Sequence, residues 1–191
     1  MQSVEKSRTL TVEEYLESEP GSAVRREFLG GHVYPMPDST MDHNSITGNL
    51  AAPIHTHLRG TACRVFAITL KLRLHLRGDE IFYYPDLMIA CDPRDTDRYF
   101  KRHPSVLIEV LSESTERTDR REKFLSYTQI DTLEEYVLVA QDRMEVTVFR
   151  RADQWQPQVL HTPTQSLRLA SIDFELPLAA VYEGIKLSVR G

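Results

Sequence analysis

The sequence predicts an α+β fold in which a mixed central sheet is flanked by helices and preceded by an N-terminal helix and hairpin. Strand-like patterns come in runs that helical patterns interrupt, which is typical of α+β chains. Residues 106–140 read strand, helix, strand, which favours a right-handed crossover between parallel neighbours. The chain contains no linker, repeat or low-complexity segment, so residues 1–191 are expected to form one domain.

A short helix and a tight hairpin are predicted first. Thr11 and Glu14 have the spacing of a capping box, so a helix should follow over residues 12–18. Gly30-Gly31 stands between two strand-like runs and indicates a two-residue turn. The flanking strands are expected at residues 25–29 and 32–36.

A long amphipathic helix is predicted over residues 40–58, where apolar residues recur at every fourth position. Pro53 lies inside it, so the helix is expected to kink or restart there. Leucines that alternate with Lys, Arg and His over residues 70–76 indicate a half-buried strand. The apolar runs at residues 82–91 and 106–111 are typical of central strands.

The last third of the chain predicts a charged loop over residues 92–104 and a second long helix over residues 116–129. Two strands should then pair through a tight connection, since the first is apolar throughout and the second alternates. This pair of strands is expected at residues 136–140 and 144–149. Two shorter strands of the tail are expected at residues 155–160 and 171–176, and a final turn of helix at residues 178–182.

Cys63 and Cys91 lie 28 positions apart, each in an apolar run, the first of which predicts a strand at residues 63–68. Both are expected to be buried, reduced thiols, because cysteine packs as a small hydrophobe. A zinc site would need more ligands at closer spacing.

Composition and charge limit the location and the partners. No apolar run reaches about 18 residues, so no membrane-spanning helix is expected. The charged N-terminus lacks the apolar core of a signal peptide, which favours a cytoplasmic location. The net charge of −5 argues against a strong nucleic-acid binder. Residues 94–123 are nearly balanced, with eight Lys or Arg against seven Asp or Glu, so any DNA binding should be weak and sensitive to salt.

Two carboxylates interrupt apolar runs: Asp86 falls inside residues 82–91, and Glu109 inside residues 106–111. A carboxylate in a central strand costs several kcal/mol to desolvate unless something neutralises it, and such violations cluster at functional sites. If the strands are neighbours, the two groups can share one cation. Hard oxygen ligands suit Mg²⁺, with Mn²⁺ as a substitute. The alternative is that each acid pairs with a buried arginine or caps a backbone turn.

A cation is expected beside these acids. Lys123 lies on the helix after the Glu109 strand, and a crossover helix can direct a side chain back over the strand ends. A lysine there would hold the attacking water and offset negative charge that develops at phosphorus. The alternative is a solvated lysine on a charged helix face. Tyr83 and Tyr84 could stack on a base, although strand alternation favours one packed and one exposed ring.

The motifs around these residues resemble those of the Uma-type restriction endonucleases, a bacterial family of the PD-(D/E)XK nuclease superfamily. The resemblance covers residues 10–149. Leu111 stands where the superfamily motif has lysine, two residues after the acid, and Lys123 on the following helix is the match. The segments that carry the resemblance are Arg26-Glu27-Phe28-Leu29-Gly30-Gly31-His32-Val33, His43, Tyr84-Pro85-Asp86-Leu87, Ile108-Glu109-Val110-Leu111-Ser112-Glu113-Ser114-Thr115, Thr118-Asp119-Arg120-Arg121-Glu122-Lys123 and Tyr127.

The resemblance implies a restriction-endonuclease-like core of helix, three antiparallel strands, helix and strand. It implies that Asp86 and Glu109 bind the metal and that the Val110 carbonyl adds a ligand. It also implies that Glu27 is a nearby catalytic acid and that Lys123 assists the attacking water. The implied activity is Mg²⁺-dependent endonucleolytic cleavage of DNA. Enzymes that cut both strands commonly work as two-fold dimers, so a homodimer is expected.

Two other functions stay open on the sequence alone. The chain could be a non-catalytic DNA-binding or regulatory module on a nuclease scaffold. It could also be a structural or interaction domain in which the two acids merely pair with Arg73 or Arg121.

Overall fold

The computed structural model describes residues 9–67, 69–112 and 116–187, with the backbone alone at Arg117. The α-helices are α1 (Val12–Ser18), α2 (Met41–His57), α3 (Glu116–Thr118), α4 (Phe124–Tyr127) and α5 (Leu178–Val181). A π-helical turn, Asp119–Lys123, joins α3 to α4, and 3₁₀ turns occur at Glu19–Gly21, Arg151–Asp153 and Ala170–Ile172. The strands are β1 (Arg26–Leu29), β2 (His32–Pro35), β3 (Arg64–Ala67), β4 (Lys71–Leu76), β5 (Asp79–Tyr83), β6 (Leu87–Ala90), β7 (Phe100–Lys101), β8 (Pro104–Leu111), β9 (Glu135–Ala140), β10 (Val146–Arg150), β11 (Pro157–Leu160), β12 (Ser166–Leu169) and β13 (Phe174–Pro177).

The strands of the described residues form three sheets. Sheet A has the order β2-β1-β5-β4-β7, sheet B has the order β11-β10-β9-β8-β6-β3, and β12 pairs with β13. Each large sheet is mixed, because β4 and β7 run parallel in sheet A and β8 and β9 run parallel in sheet B. The predicted α+β fold with mixed sheets is therefore confirmed, and the predicted parallel neighbours are β8 and β9.

The core lies on both faces of sheet B. On one face, Ile46, Leu50 and Ile54 of α2 pack against alternate residues of β8, including Ile108 and Val110. On the other face, Leu107, Leu111 and Tyr136 pack with Leu72 and Tyr83 of sheet A and with Tyr127 of α4. Because side chains alternate along a strand, Glu109 shares the face of Leu107 and Leu111 and points into the space between sheet A, sheet B and the helical segment.

The first helix and hairpin are confirmed by their local chemistry. Glu14 N donates to Thr11 Oγ1 at 3.1 Å and Thr11 N donates to Glu14 Oε2 at 2.9 Å, which completes the capping box of α1. In the hairpin, Leu29 pairs with His32, and the glycines between them have φ angles of 54° and 94°. Both glycines occupy the left-handed region that a tight primed turn requires.

The helix α2 begins after its N-cap Thr40, as predicted, and runs unbroken through Pro53. Of the two outcomes predicted at that residue, a kink or a restart, the restart does not occur. Proline removes one backbone donor, and the apolar side chains before and after it hold both halves of the helix against sheet B.

The predicted central strand at residues 82–91 is instead divided between two strands, which belong to different sheets. β5 ends at Tyr83 in sheet A and β6 begins at Leu87 in sheet B. Pro85 lies at the crossing because it cannot donate a ladder hydrogen bond. Asp86 therefore immediately precedes a central strand rather than interrupting one. The expectation that one of Tyr83 and Tyr84 would be exposed is also wrong: alternation does not hold where the chain changes sheets, and both rings are buried.

Smaller differences occur elsewhere. The predicted strand at residues 63–68 is β3, and its predicted last residue, Ile68, lies outside the described residues. The charged loop at residues 92–104 contains the short strand β7. The predicted tail strand at residues 171–176 is a 3₁₀ turn followed by β13, whose partner β12 was not predicted.

Cys63 and Cys91 are joined by a disulfide bond, with their Cα atoms 4.0 Å apart, so the prediction of reduced thiols is wrong. Both residues are partly exposed. The antiparallel register of β3 and β6 pairs Arg64 with Ala90, which places the two cysteines opposite each other one step beyond the ladder. Among the described residues, no helix is long and apolar enough to cross a membrane.

Candidate active site

Glu109 lies at the centre of the candidate site, on β8, and is only 2% exposed. Its Oε1 accepts hydrogen bonds from Lys123 Nζ at 3.1 Å and from the Tyr127 hydroxyl at 2.8 Å. The first contact reaches the π turn and the second reaches α4, so the helical segment after β8 folds back over the acid. The carboxylate that broke the hydrophobic pattern is thus buried because two donors satisfy it.

Lys123 is buried as well, and it is surrounded by carboxylates. Its Nζ lies 3.1 Å from Glu109 Oε1, 3.2 Å from Glu27 Oε1 and 3.2 Å from Asp119 Oδ1. Asp119 precedes Lys123 by four residues, and its Oδ1 makes no hydrogen bond within the described residues despite this proximity. The ammonium also lies 5.6 Å from the centre of the Tyr83 ring, a cation–π distance.

Asp86 is held at the edge of the same space. Its Oδ2 accepts from the Val110 backbone N–H at 2.7 Å and lies 3.1 Å from His43 Nε2. An ionised carboxylate can only accept, so the imidazole donates through Nε2. His43 Nδ1 is buried and has no hydrogen-bond partner among the described residues. Thr40 caps the start of α2 by accepting from His43 N, which fixes where the imidazole leaves the helix.

Glu27 reaches the site from sheet A. It lies on β1, where it pairs with Tyr34 of β2, and its Oε1 also lies 3.5 Å from the backbone N–H of Tyr84. The site is therefore assembled from sheet A, sheet B, the crossing between them and the helical segment that follows β8.

The cluster carries a surplus of negative charge. Three carboxylates, Glu27, Glu109 and Asp119, contact one ammonium, and Asp86 lines the same cavity. The formal charge of these five groups is −3 when all of them are ionised. Burial, opposed by Lys123 and reinforced by Asp119 and Asp86, raises the pKa of Glu109 well above its ordinary value. A further cation would relieve this repulsion.

The ammonium itself is firmly protonated. Burial opposes its charge, but Glu109, Asp119 and Glu27 together raise the pKa of Lys123 well above its ordinary value. Lys123 can therefore donate hydrogen bonds at neutral pH, but it cannot accept a proton. Burial likewise raises the pKa of Tyr127, so its hydroxyl remains a donor to Glu109.

The residues fit a magnesium ion. Asp86, Glu109 and Val110 line a cavity of about 40 Å³, larger than the 10–15 Å³ that a water molecule requires. Within the described part of the chain, no three His, Cys, Asp or Glu side chains form a complete metal cage. Mg²⁺ does not need one, because it is commonly held by one or two carboxylates together with waters and substrate phosphates. Asp119 Oδ1, buried without a hydrogen bond, is a further oxygen at this cavity.

The structure brings together four side chains that the sequence singled out: Asp86, Glu109, Lys123 and Glu27. At Val110 it shows the backbone N–H bound to Asp86, while a role of the carbonyl as a ligand stays a prediction. The motif residues Glu113, Ser114 and Thr115 lie outside the described residues.

Two residues of the cluster, Asp119 and Tyr127, stand in the quoted motif segments, but no role in the site was predicted for them. Asp119 could have been found, since it lies one helical turn before Lys123 and (i, i+4) side chains meet on a helix. Tyr127 belongs to the quoted motif, but nothing local indicated that its hydroxyl would reach Glu109.

Pairing of the acids with Arg73 or Arg121 is not what the described contacts show. Arg73 Nε donates to Glu80 Oε2 at 2.8 Å, outside the cluster, and Arg121 is exposed. The cation beside Glu109 is Lys123.

Known proteins resemble this chain over most of its length. A family model, that of Uma2, described as "Putative restriction endonuclease", matches residues 12–179. An uncharacterised protein from Synechocystis sp. is 30% identical over 178 residues, which cover 92% of this chain and 93% of that protein. A second uncharacterised Synechocystis protein is 33% identical over 144 residues, which cover 74% of this chain and 80% of that protein.

A solved structure has the same fold. The crystal structure from Anabaena variabilis described as "a putative nuclease belonging to DUF820" superposes with a TM-score of 0.77 at 19% sequence identity. The superposition covers 93% of this chain and 99% of that one, so the shared fold extends over nearly the whole of both chains.

Proposed function

The chain belongs to the Uma2 family of restriction-endonuclease-like proteins, as its motifs predicted, and we propose that it is a Mg²⁺-dependent endonuclease that hydrolyses phosphodiester bonds of DNA. The family and the nuclease fold support the reaction class. The metal, the DNA substrate and the roles of single residues are part of the proposal.

One observation carries the proposal: the cluster holds four carboxylates, of which Glu109 and Asp119 are buried, and one buried ammonium. Clustered violations of the hydrophobic pattern are expected at functional sites rather than in a structural core. A purely structural pair would balance its charges, since uncompensated buried charge is strongly destabilising. A divalent cation balances most of the surplus.

Asp86, Glu109 and the Val110 carbonyl would hold the ion. When bound, Mg²⁺ supplies Lewis-acid stabilisation of the phosphate oxygens and lowers the pKa of a bound water. The Val110 N–H and His43 position Asp86, and the Tyr127 hydroxyl positions Glu109.

Lys123 donates hydrogen bonds and does not accept a proton. Its ammonium would orient the attacking water or stabilise the negative charge that develops on the phosphate in the transition state. The carboxylates around Lys123 raise its pKa, which favours the role of hydrogen-bond donor over that of general base. Glu27, 3.2 Å from the ammonium, would fix its direction.

Isosteric variants test the proposal. Asp86→Asn and Glu109→Gln should each lower Mg²⁺-dependent cleavage of plasmid DNA by at least about 100-fold, the usual effect of removing one preorganised charge-stabilising group. Glu80→Gln is the matched control, because Glu80 is a half-buried carboxylate paired with Arg73 outside the cluster. Cleavage at the wild-type rate by Asp86→Asn or Glu109→Gln would refute the assignment. Retention of DNA without cleavage in Mg²⁺ or Mn²⁺ would select the non-catalytic alternative.

Assembly and location are further parts of the proposal. A homodimer would place two such sites on opposite strands of one duplex, and sedimentation of the protein with and without DNA tests it. The net charge of −5 favours weak, salt-sensitive binding. A cytoplasmic location, where DNA is met, is also proposed. In that reducing compartment the Cys63–Cys91 bond is expected to form only transiently, because disulfides persist mainly in oxidising compartments.

A further inference from the structure

A second and larger pocket opens beside the candidate site. It has a volume of about 600 Å³ and lies between the β1–β2 hairpin and the π turn. Its apolar lining includes Leu29, Tyr34 and Met36, and the buried Tyr83 also lines it. Lys123 and Asp119 line both this pocket and the small cavity at Asp86 and Glu109, so the two spaces are adjacent. We call the larger space the tyrosine pocket.

Tyr34 is placed by strand register. It pairs directly with Glu27, so both side chains leave the same face of sheet A, and directly paired residues have Cβ atoms about 4.5–5.5 Å apart. Glu27 in turn lies 3.2 Å from Lys123 Nζ. Tyr34 therefore lies on the edge strand β2, directly beside Glu27 of the cluster on β1. It is 52% exposed, so it offers an aromatic surface to a ligand.

The charges of the tyrosine pocket decide which part of a nucleic acid can enter. Its charged lining residues are Glu27, Asp119, Glu122 and Lys123, and Lys123 is already bound by carboxylates. A phosphate group would be repelled there. A neutral, flat group with hydrogen-bond donors fits, because an aromatic ring can stack on it and the carboxylates can accept from its amino groups. A nucleobase has this chemistry.

We propose that the tyrosine pocket takes an unpaired nucleobase next to the phosphate that is cleaved. The inference rests on the proposed nuclease function and narrows its substrate: the enzyme acts at mismatches, bulges or single-stranded segments in preference to intact duplex. An unpaired base enters more readily because less stacking and pairing energy must be lost when it leaves the helix. Tyr34 is then a specificity-determining residue.

Binding and cleavage of two matched substrates test this. One is a perfect duplex, and the other is the same duplex with a single-nucleotide bulge carrying 2-aminopurine, whose fluorescence reports stacking. Binding is measured with Ca²⁺ in place of Mg²⁺. We expect the wild-type protein to bind and cleave the bulged substrate in preference to the duplex. Tyr34→Ala should weaken binding of the bulged substrate by about 5- to 150-fold, the range of one lost base–aromatic stack, with little effect on duplex binding.

Two variants separate stacking from other causes. Tyr34→Phe keeps the ring and should bind the bulged substrate as the wild type does. Tyr99→Ala is the matched control, because Tyr99 is 70% exposed and precedes β7 at the opposite edge of sheet A. The inference is wrong if Tyr34→Ala binds the bulge as tightly as wild type, or if both substrates are bound equally. Equal cleavage of both substrates would refute the proposed role of the tyrosine pocket and would still support the nuclease proposal. Tyr34-dependent binding of the bulge without any cleavage would support the pocket and refute the nuclease.

Discussion

The charge of Lys123 is expected to stabilise the fold, and Lys123→Met tests this directly. The ammonium lies within 3.2 Å of three carboxylates, two of which, Glu109 and Asp119, are almost fully buried. Methionine keeps the length and apolar stem of lysine but removes the only cation among these groups. The variant therefore leaves buried negative charge uncompensated.

The expected loss is large. Removing one partner of a buried ion pair destabilises a protein by about 3–5 kcal/mol. In a chain of this size each kcal/mol changes Tm by about 2–4 °C, so Lys123→Met should lower Tm by about 6–20 °C. Protonation relieves carboxylate repulsion, and the pKa of Glu109 is already raised by burial. The deficit should therefore be greatest between the raised pKa of Glu109 and the ordinary pKa of lysine. It should narrow as the pH falls through the pKa of Glu109, and also as the pH rises above the ordinary lysine pKa, where the wild type loses the stabilisation that its ammonium provides.

Calorimetry on the wild type and three variants, each with and without Mg²⁺, provides the assay. Arg121→Met is the control, since Arg121 is an exposed cation on the same π turn and its loss should change Tm little. Glu109→Gln should cost less than Lys123→Met, because the ammonium keeps Glu27 and Asp119. Mg²⁺ should restore part of the Tm of Lys123→Met, since ligand binding to the folded state stabilises it. If Lys123→Met melts within about 2 °C of wild type, the ammonium does not balance the carboxylates and the reasoning fails.

Two further predictions concern the scaffold. Replacing both cysteines (Cys63→Ser with Cys91→Ser) should lower the free energy of unfolding by up to about 3.5 kcal/mol, which is the chain-entropy value for a loop of 28 residues. If the double variant is as stable as the wild type, or if the unreduced wild type titrates with two free thiols, the bond does not form. Glu145→Gln should destabilise the protein at pH 7 and lose that difference in acid. Arg143, by its hydrogen bond, lowers the pKa of Glu145, so its stabilisation is present above the ordinary carboxyl pKa and disappears as pH falls through the depressed value. Urea unfolding at several pH values measures this, and a difference that stayed constant in acid would contradict it.

Features that depend on near neighbours in the sequence were predictable, and features that depend on pairing between distant segments were not. The capping box at Thr11 and the turn at Gly30-Gly31 are determined within a few residues, and both occur as expected. The disulfide depends on the register of β3 against β6, which no local pattern specifies. The change of sheet after Tyr83 is similar: Pro85 marked a weak point in the strand, but the sequence did not show that the next strand would join another sheet.

The candidate site was partly predictable because buried charge is conspicuous in an apolar run. Asp86 and Glu109 were found in this way, and their proximity followed from the assumption that their strands were neighbours. β6 and β8 are indeed paired, with Leu87 opposite Ile108. The π turn was not predicted. The π turn rotates the side chains that follow it about the helix axis, because it has more residues per turn than an α-helix. Both Asp119 and Lys123 lie in this turn, and both are buried.

The position of the site between two sheets links metal binding to the fold. Glu27 comes from sheet A, Glu109 from sheet B, and Asp86 from the crossing between them. An ion held by Asp86 and Glu109 would join that crossing to β8, while the ammonium of Lys123 already joins β1 to β8 through Glu27 and Glu109. Binding of Mg²⁺ should then raise Tm in proportion to RT ln(1 + [Mg²⁺]/Kd) in the wild type and not in Asp86→Asn. A metal-dependent increase in Tm that survives Asp86→Asn would place the ion elsewhere, whatever the effect of the variant on cleavage.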